Sequence, residues 1–188
     1  MGKVVVTEFV SLDGVMEDPG GSEGAEHGAW TFEFENAEGM DFKLEETRAS
    51  EALLLGRVTY EGFAEAWPTR DGEFADKFNS MPKYVVSKTL EDPAWSNSTV
   101  LSGDLAEEVS KLKQEVEGEI VVHGSAQLVQ GLLERDLVDE LRLMVFPVVL
   151  GTGKRLFGET GGKKRLRLVS SKVGTDGIAI QVYELDRG

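Results

Sequence analysis

The feature that most constrains the fold is an alternation of short apolar runs with amphipathic segments through the middle of the chain. The stretch 119–134, "EIVVHGSAQLVQGLLE", shows the unit, because a β-branched run ends at a Gly-Ser turn and helical spacing follows at once. Alternating strands and helices of this kind build a mainly parallel sheet with helices on both faces. The turn itself has two interpretations, a cradle for a phosphate group or a plain helix cap.

The same patterns predict strands and helices along the rest of the chain. Strands are predicted at 4–12, 52–55, 83–87, 99–101, 119–122, 139–150, 166–173 and 178–185. Helices are predicted at 32–50, 58–67, 71–80, 104–116 and 125–134, with Asp104 as a cap and with Phe34, Met40, Leu44 and Thr47 facing inward in the first. Pro147 indicates an edge, a bulge or the end of its strand, and "GTDG" at 174–177 predicts a hairpin.

Together these elements predict one α/β domain over residues 1–188. Its sheet is mixed and mainly parallel, with helices on both faces and an antiparallel C-terminal hairpin. A chain of 188 residues is long enough to bury a sizeable core.

Composition excludes several classes of function. The formal net charge of −14 disfavours nucleic acid and anionic membranes as partners. Cysteine is absent and there are only two histidines, so we predict no disulfide and no metal site. The N-terminus lacks the layout of a signal peptide and no apolar segment is long enough to cross a bilayer, so a cytoplasmic protein is predicted.

Three strand ends carry small or basic residues that suit a phosphate. They are Gly56-Arg57-Val58-Thr59, Ser87-Lys88-Thr89 and Gly124-Ser125. Each has an ordinary alternative, since helix caps and polar turns are common. However, ligands of open α/β sheets bind outside the carboxyl ends of parallel strands, and all three turns are predicted at that edge. Neither a GxGxxG after the first strand nor a P-loop is present, so these two nucleotide-binding motifs are excluded.

The candidate proton donors are carboxylates. Asp13 stands in the turn that leaves the first strand, and Asp41 and Glu45 are four residues apart on one helix face. In so acidic a chain, a position on a solvated helix face is the favoured interpretation of Glu45. For Asp41, a solvated helix face and a role as proton donor are favoured equally. His123 precedes the Gly turn, and a structural role is favoured over catalysis for a lone histidine there.

Four segments, in order, resemble a known family over nearly the whole chain. They are "VVVTEFVSLDGVMEDPGG", "LLLGRVTYEGFAEAWP", "PKYVVSKTL" and "VVHGSAQLVQGLLERDLVDELRLMVFPVVLGTGKRLF". They are similar to dihydrofolate-reductase-like proteins of the riboflavin-biosynthesis reductase type, the RibD C-terminal domain family. The resemblance implies a dihydrofolate-reductase-like fold and NADPH as hydride donor.

The resemblance also implies roles for individual residues. Gly56, Arg57 and Thr59 would hold the cofactor phosphates, and Ser87 and Lys88 would lie by the adenosine 2'-phosphate. The pyrophosphate and nicotinamide side would be wrapped by Gly124, Ser125, Ala126, Gln127 and Leu128. Phe9 and Val10 would offer backbone groups to the carboxamide, and a cis peptide is expected at His123–Gly124. Asp41 would lie near the substrate.

Three functions remain open from the sequence. The first is an NADPH-dependent reductase of a small heteroaromatic, pteridine-like or pyrimidine-like substrate, with Asp41, Asp13 or a water as proton source. The second is the riboflavin-pathway enzyme itself, 5-amino-6-(5-phosphoribosylamino)uracil reductase, with Lys154 and Arg155 available for the ribosyl phosphate. The third is a nucleotide-binding module without turnover. The family resemblance further implies a homodimer formed through the C-terminal strands.

Overall fold

The computed structural model describes residues 1–159 and 162–186. Eight strands form the sheet: β1 (Lys3–Ser11), β2 (Ser50–Gly56), β3 (Lys83–Val86), β4 (Ser98–Leu101), β5 (Glu119–His123), β6 (Glu140–Phe146), β7 (Leu166–Val173) and β8 (Ala179–Leu185). Within the same residues, five α-helices accompany them: α1 (Ala37–Ala49), α2 (Arg57–Ala66), α3 (Glu73–Ser80), α4 (Leu105–Glu115) and α5 (Ala126–Glu134).

The strands lie side by side in the order β4-β3-β2-β5-β1-β6-β8-β7. All neighbours from β4 to β6 are parallel, whereas β8 runs antiparallel to β6 and β7 antiparallel to β8. β6 ends immediately before Pro147, which has no N–H to continue a ladder. The predicted fold class, a mixed and mainly parallel sheet with an antiparallel C-terminal hairpin, is confirmed.

The two faces of the sheet are covered in different ways. On one face α4 and α5 pack apolar side chains against alternate strand residues such as Val6 and Val122. On the other face α2 and α3 cover Leu53 and Leu55, but α1 buries Lys43, Glu46 and Thr47 instead of an apolar stripe.

The prediction for α1 was therefore partly wrong. The helix begins at Ala37 and not at residue 32, and Met40, predicted to face inward, is 48% exposed. Thr47 is buried as predicted, but the other inward positions of this helix, Lys43 and Glu46, are charged, so apolar spacing did not find them.

The crevice of this fold is the gap in strand pairing where β1 separates from β5. Their pairing stops at Thr7 and His123, while β1 stays paired with β6 as far as Ser11. The helices that follow the two strands lie on opposite faces of the sheet, which makes this a topological switch point at the carboxyl ends of parallel strands. Within the described residues no helix is long and apolar enough to cross a membrane.

Candidate functional site

The starts of α2 and α5 are joined into one surface at this edge. The Gly56 amide donates to Ser125 Oγ at 2.9 Å, and the Ser125 amide donates to Thr59 Oγ1 at 3.0 Å. Ser125 Oγ in turn donates to the carbonyl of His123 at 3.2 Å. Two of the three turns selected from the sequence are thus hydrogen-bonded to each other, although they are far apart in the chain.

The turn before α5 requires glycine. Gly124 has φ +55°, and a Cβ there would lie 2.9 Å from Thr59 Oγ1. Ser125 follows with φ +62°, so two successive residues adopt the left-handed region. No peptide bond in the described residues is cis, so the cis peptide expected at His123–Gly124 was wrong. Two left-handed residues reverse the chain there instead.

Neither helix start is capped by its own side chain. Ser125, in its left-handed conformation, does not cap α5, and Gly56 has no side chain to cap α2. The amides of Gly124 and Ser125 are already used within the protein, so a bound anion would meet the first-turn amides of residues 126–128 and 57–59. Both helices direct the positive end of their dipole to this surface.

Basic side chains stand beside the uncapped helix starts. Arg57 is exposed and pairs with Glu61 one turn along α2 at 3.0 Å. Lys88 is exposed just after β3, the neighbour of β2, whereas the hydroxyl of Ser87 accepts amides of its own turn. The third turn therefore lies at the same edge, with its lysine free to meet a ligand and its serine used locally.

The other residues predicted to contact the cofactor flank the crevice. The backbone of Phe9 and Val10 lies beyond the last β1–β5 pair, so its β5 side is unpaired. The Phe9 ring packs edge-on against Phe146, and Val10 is in the core. On α5, Leu128 is buried, which leaves only its backbone for a ligand, while the side chain of Gln127 is exposed.

A buried carboxyl, Glu8, lies in the crevice and was missed from the sequence. Its Oε2 accepts the Gly124 amide at 3.0 Å, and its Oε1 is buried without a hydrogen-bond partner in the part of the chain that the structure describes. Burial raises the pKa of Glu8 well above its ordinary value. The available signal was a glutamate inside the apolar run "VVVTEFV".

Beneath α1 lies a second charged group. Lys43 donates to Thr7 Oγ1 and to Glu46 Oε1, and Glu46 also meets Arg142 at 3.3 Å. Burial is the largest influence on the pKa of Glu46 and acts to raise it, but Lys43 and the other positive neighbours, Arg142 among them, together outweigh burial and hold that pKa below its ordinary value. Arg142 continues the network to Glu119 at 2.6 Å. The spacing of Lys43 and Glu46, three apart on a helix, was the missed signal.

His123 is an aromatic packing residue. Its ring lies 5.4 Å from that of Phe78 and 6.1 Å from that of Phe63, and burial lowers the pKa of His123 to about 3. The imidazole is therefore neutral at physiological pH, and its Nε2 has no hydrogen-bond partner among the described residues. This agrees with the structural role favoured for it above.

The two carboxylates predicted as proton donors, Asp13 and Asp41, do not belong to the buried groups formed by Glu8 and by Lys43 with Glu46. Asp13 accepts the amides of Leu150 and Gly151 at 3.1 and 2.9 Å, and the Ser11 hydroxyl at 2.6 Å. The Ser11 bond, with these amides, holds the pKa of Asp13 well below its ordinary value, which suits a loop clamp and not a proton donor. Asp41 is exposed on α1, and none of the described hydrogen bonds or ion pairs includes it.

Comparison with known proteins places this geometry in context. A profile of the RibD C-terminal domain family matches residues 2–180. The Bacillus subtilis (strain 168) protein YwjB is 31% identical over 181 residues, 96% of each chain, and YyaP of the same organism is 30% identical over 138 residues, 71% of this chain and 73% of YyaP.

Solved structures share the fold. A putative riboflavin biosynthesis protein from Shewanella sp. PV-4 has a TM-score of 0.78 at 24% identity, covering 98% of this chain and 99% of that one. Dihydrofolate reductase from Enterococcus faecalis, complexed with NADP(H), has a TM-score of 0.64 at 16% identity, covering 98% and 96%. The fold is dihydrofolate-reductase-like.

Proposed function

Because the chain belongs to the RibD C-terminal domain family, we propose that it is an NADPH-dependent reductase of a small heteroaromatic substrate. The observation that carries the proposal is the pair of uncapped helix starts, α2 and α5, tied together through Ser125 and Thr59 beside the β1–β5 crevice. Two positive dipole ends at a switch point suit a diphosphate-linked dinucleotide.

The chain's residues fit such a cofactor in three places. First-turn amides of α2 and α5, with Arg57, would hold the diphosphate, and Lys88 would face a 2'-phosphate. The unpaired β1 backbone at Phe9 and Val10 would meet a carboxamide in the crevice. When bound, NADPH supplies a hydride, and the protein supplies position and electrostatics.

The contacts of Arg155 favour a substrate without a ribosyl phosphate. Its guanidinium donates to the carbonyls of Asp13 and Gly151, at 2.5 and 3.1 Å. Lys154 is exposed and lies 3.9 Å from Glu17. The cations considered for the riboflavin-pathway substrate are thus directed to loop carbonyls and to a carboxylate, which supports the simpler heteroaromatic substrate over that alternative.

Cofactor binding is tested by fluorescence titration with NADPH and NADH. Arg57→Ala should weaken NADPH binding about 10- to 100-fold, since a charged hydrogen bond contributes about 1.5–3 kcal/mol. Arg167→Ala on β7 is the matched control and should bind as the wild type does. Absence of saturable NADPH binding below millimolar concentration would refute the proposal.

Turnover is tested separately from binding. NADPH oxidation is followed with a panel of pteridines, pyrimidines and quinones. Oxidation that depends on one of these acceptors is the expected result. Tight cofactor binding with no oxidation across the panel would favour the nucleotide-binding module instead.

We also propose that β7 pairs two copies of the chain. β7 is the last strand of the sheet, its outer edge is unpaired among the described strands, and all its residues are exposed, including Leu166, Leu168, Val169 and Val173. Light scattering should find a dimer that Leu168→Glu shifts to monomer. Val149→Glu, at another exposed apolar residue, should leave the dimer intact, and a monomeric wild type would contradict the proposal.

A further inference from the structure

The crevice holds a buried acid that no contact inside the protein fully uses. Glu8 is 5% exposed and directs Oε2 to the Gly124 amide, but Oε1 has no partner among the described residues. A buried polar oxygen without a partner is costly, so it is rarely retained without a use. The carboxyl also bonds the turn that opens α5, which places it beside the proposed cofactor surface.

We propose that Glu8 holds the proton that completes the reduction. This inference rests on the proposed reductase function and adds to it the residue that supplies the acid. The carboxyl delivers its Oε1 proton to the substrate directly or through one water, the two routes open to a general acid.

The surroundings of Glu8 favour its protonated form. Burial and the Glu46 carboxylate disfavour ionisation, while Lys43 and the Gly124 amide oppose them more weakly. His123, which pairs with Thr7 next to Glu8 in the sequence, is neutral, and the first two turns of α5 contain no titratable side chain. The pKa values of two buried carboxyls are therefore driven apart, that of Glu8 upward and that of Glu46 downward, a division seen where one site needs both an acid and a carboxylate.

The chemical balance is complete with the named reactants. Reduction of a C=N or C=O bond needs a hydride at carbon, and the dihydronicotinamide that gives it is oxidised. The π electron pair of the substrate moves to nitrogen or oxygen, which takes the proton from Glu8 as its O–H bond breaks. Glu8 is left as a carboxylate, stabilised by Lys43 and the Gly124 amide, until water returns a proton.

The test is Glu8→Gln, which keeps an oxygen for the Gly124 amide but has no acidic proton. Turnover should fall by about 10²–10⁴-fold, with the NADPH dissociation constant within about threefold of wild type because the turn is retained. The infrared carbonyl stretch of a protonated carboxylic acid in the wild type at neutral pH should vanish in Glu8→Gln. Glu65→Gln, at an exposed glutamate of α2, is the matched control and should change neither signal nor rate.

The outcomes separate the inference from the function on which it rests. Unchanged turnover in Glu8→Gln, or no protonated-acid band in the wild type, refutes the role of Glu8 and leaves the reductase standing. Loss of NADPH binding in Glu8→Gln equal to the loss of turnover refutes it too, because Glu8 would then only hold the turn. If the wild type shows no NADPH oxidation with any acceptor of the panel, both proposals are refuted, whatever the infrared band shows.

Discussion

Gly124→Ala should destabilise the protein although it adds only one methyl group. The added Cβ would lie 2.9 Å from Thr59 Oγ1, closer than side-chain contacts allow, and 3.1 Å from Thr59 Cγ2, which is tighter than most such contacts. Thr59 must move, and its hydrogen bond from the Ser125 amide is lost. The backbone at φ +55° adds strain for any residue with a Cβ.

The size of the effect follows from these contributions. Left-handed backbone costs alanine about 1–2 kcal/mol, and a buried amide left without its acceptor costs about 1–3 kcal/mol. Alanine also lowers the conformational entropy of the unfolded chain, which offsets about 0.4–1 kcal/mol of this loss in stability. The net loss is about 2–3 kcal/mol, which at a urea m-value of about 2 kcal/mol per molar moves the midpoint down by about 1 M.

The assay is urea unfolding followed by circular dichroism, with Gly62→Ala as the control. Gly62 is an exposed glycine inside α2 with open space around its Cβ direction, so alanine should raise stability there by about 0.5–1 kcal/mol. The same substitution, glycine to alanine, should therefore lower the free energy of unfolding at residue 124 and raise it at residue 62. Midpoints that move in the same direction for both variants would refute the reasoning about the turn.

Two further changes test other buried groups. Lys83→Met should cost about 3 kcal/mol in urea unfolding, because the carbonyls of Asn79, Met81 and Ser96 lose their shared donor; a stability equal to wild type would contradict this. His123→Phe should reduce the loss of stability on acidification. The pKa of His123 is about 3 in the folded protein and about 6.5 in the unfolded chain, so between these values only the unfolded chain binds a proton. Acid therefore stabilises the unfolded state of the wild type but not, through this residue, that of the variant. Urea unfolding at pH 7 and pH 5 should show a wild-type loss about 2 kcal/mol larger than that of the variant, and equal losses would contradict the packing role of the histidine.

Local chemistry explains which parts of the fold were predictable from sequence. Asp104 caps α4 as predicted, accepting the amides of Ala106 and Glu107, since capping depends on residues two or three positions away. The joining of Gly56 to Ser125 was predictable only as a shared sheet edge, because parallel strand order brings them together but sequence does not give their hydrogen bonds.

The residues that sequence reasoning missed depend on contacts between distant segments. In the sequence, Glu8 only interrupts an apolar strand. Its role depends on the amide of Gly124, far along the chain, which donates a hydrogen bond to it in the folded protein. From the sequence, Lys43 and Glu46 are expected to be surface charges. In the folded protein they contact Thr7 and Arg142 beneath the helix. Burial of a charge is a tertiary property, and periodicity assigns charged residues to the solvent.

The polar layer under α1 makes the two faces of this sheet respond to different conditions. The α4–α5 face rests on apolar burial, which weakens on cooling but is insensitive to carboxylate protonation. On the other face, α1 itself rests on Lys43, Glu46 and Arg142, whose attraction is lost when Glu46 is protonated in acid. Acid should therefore detach α1 while α4 and α5 stay docked, and amide hydrogen exchange at low pH should show protection lost first from residues 37–49.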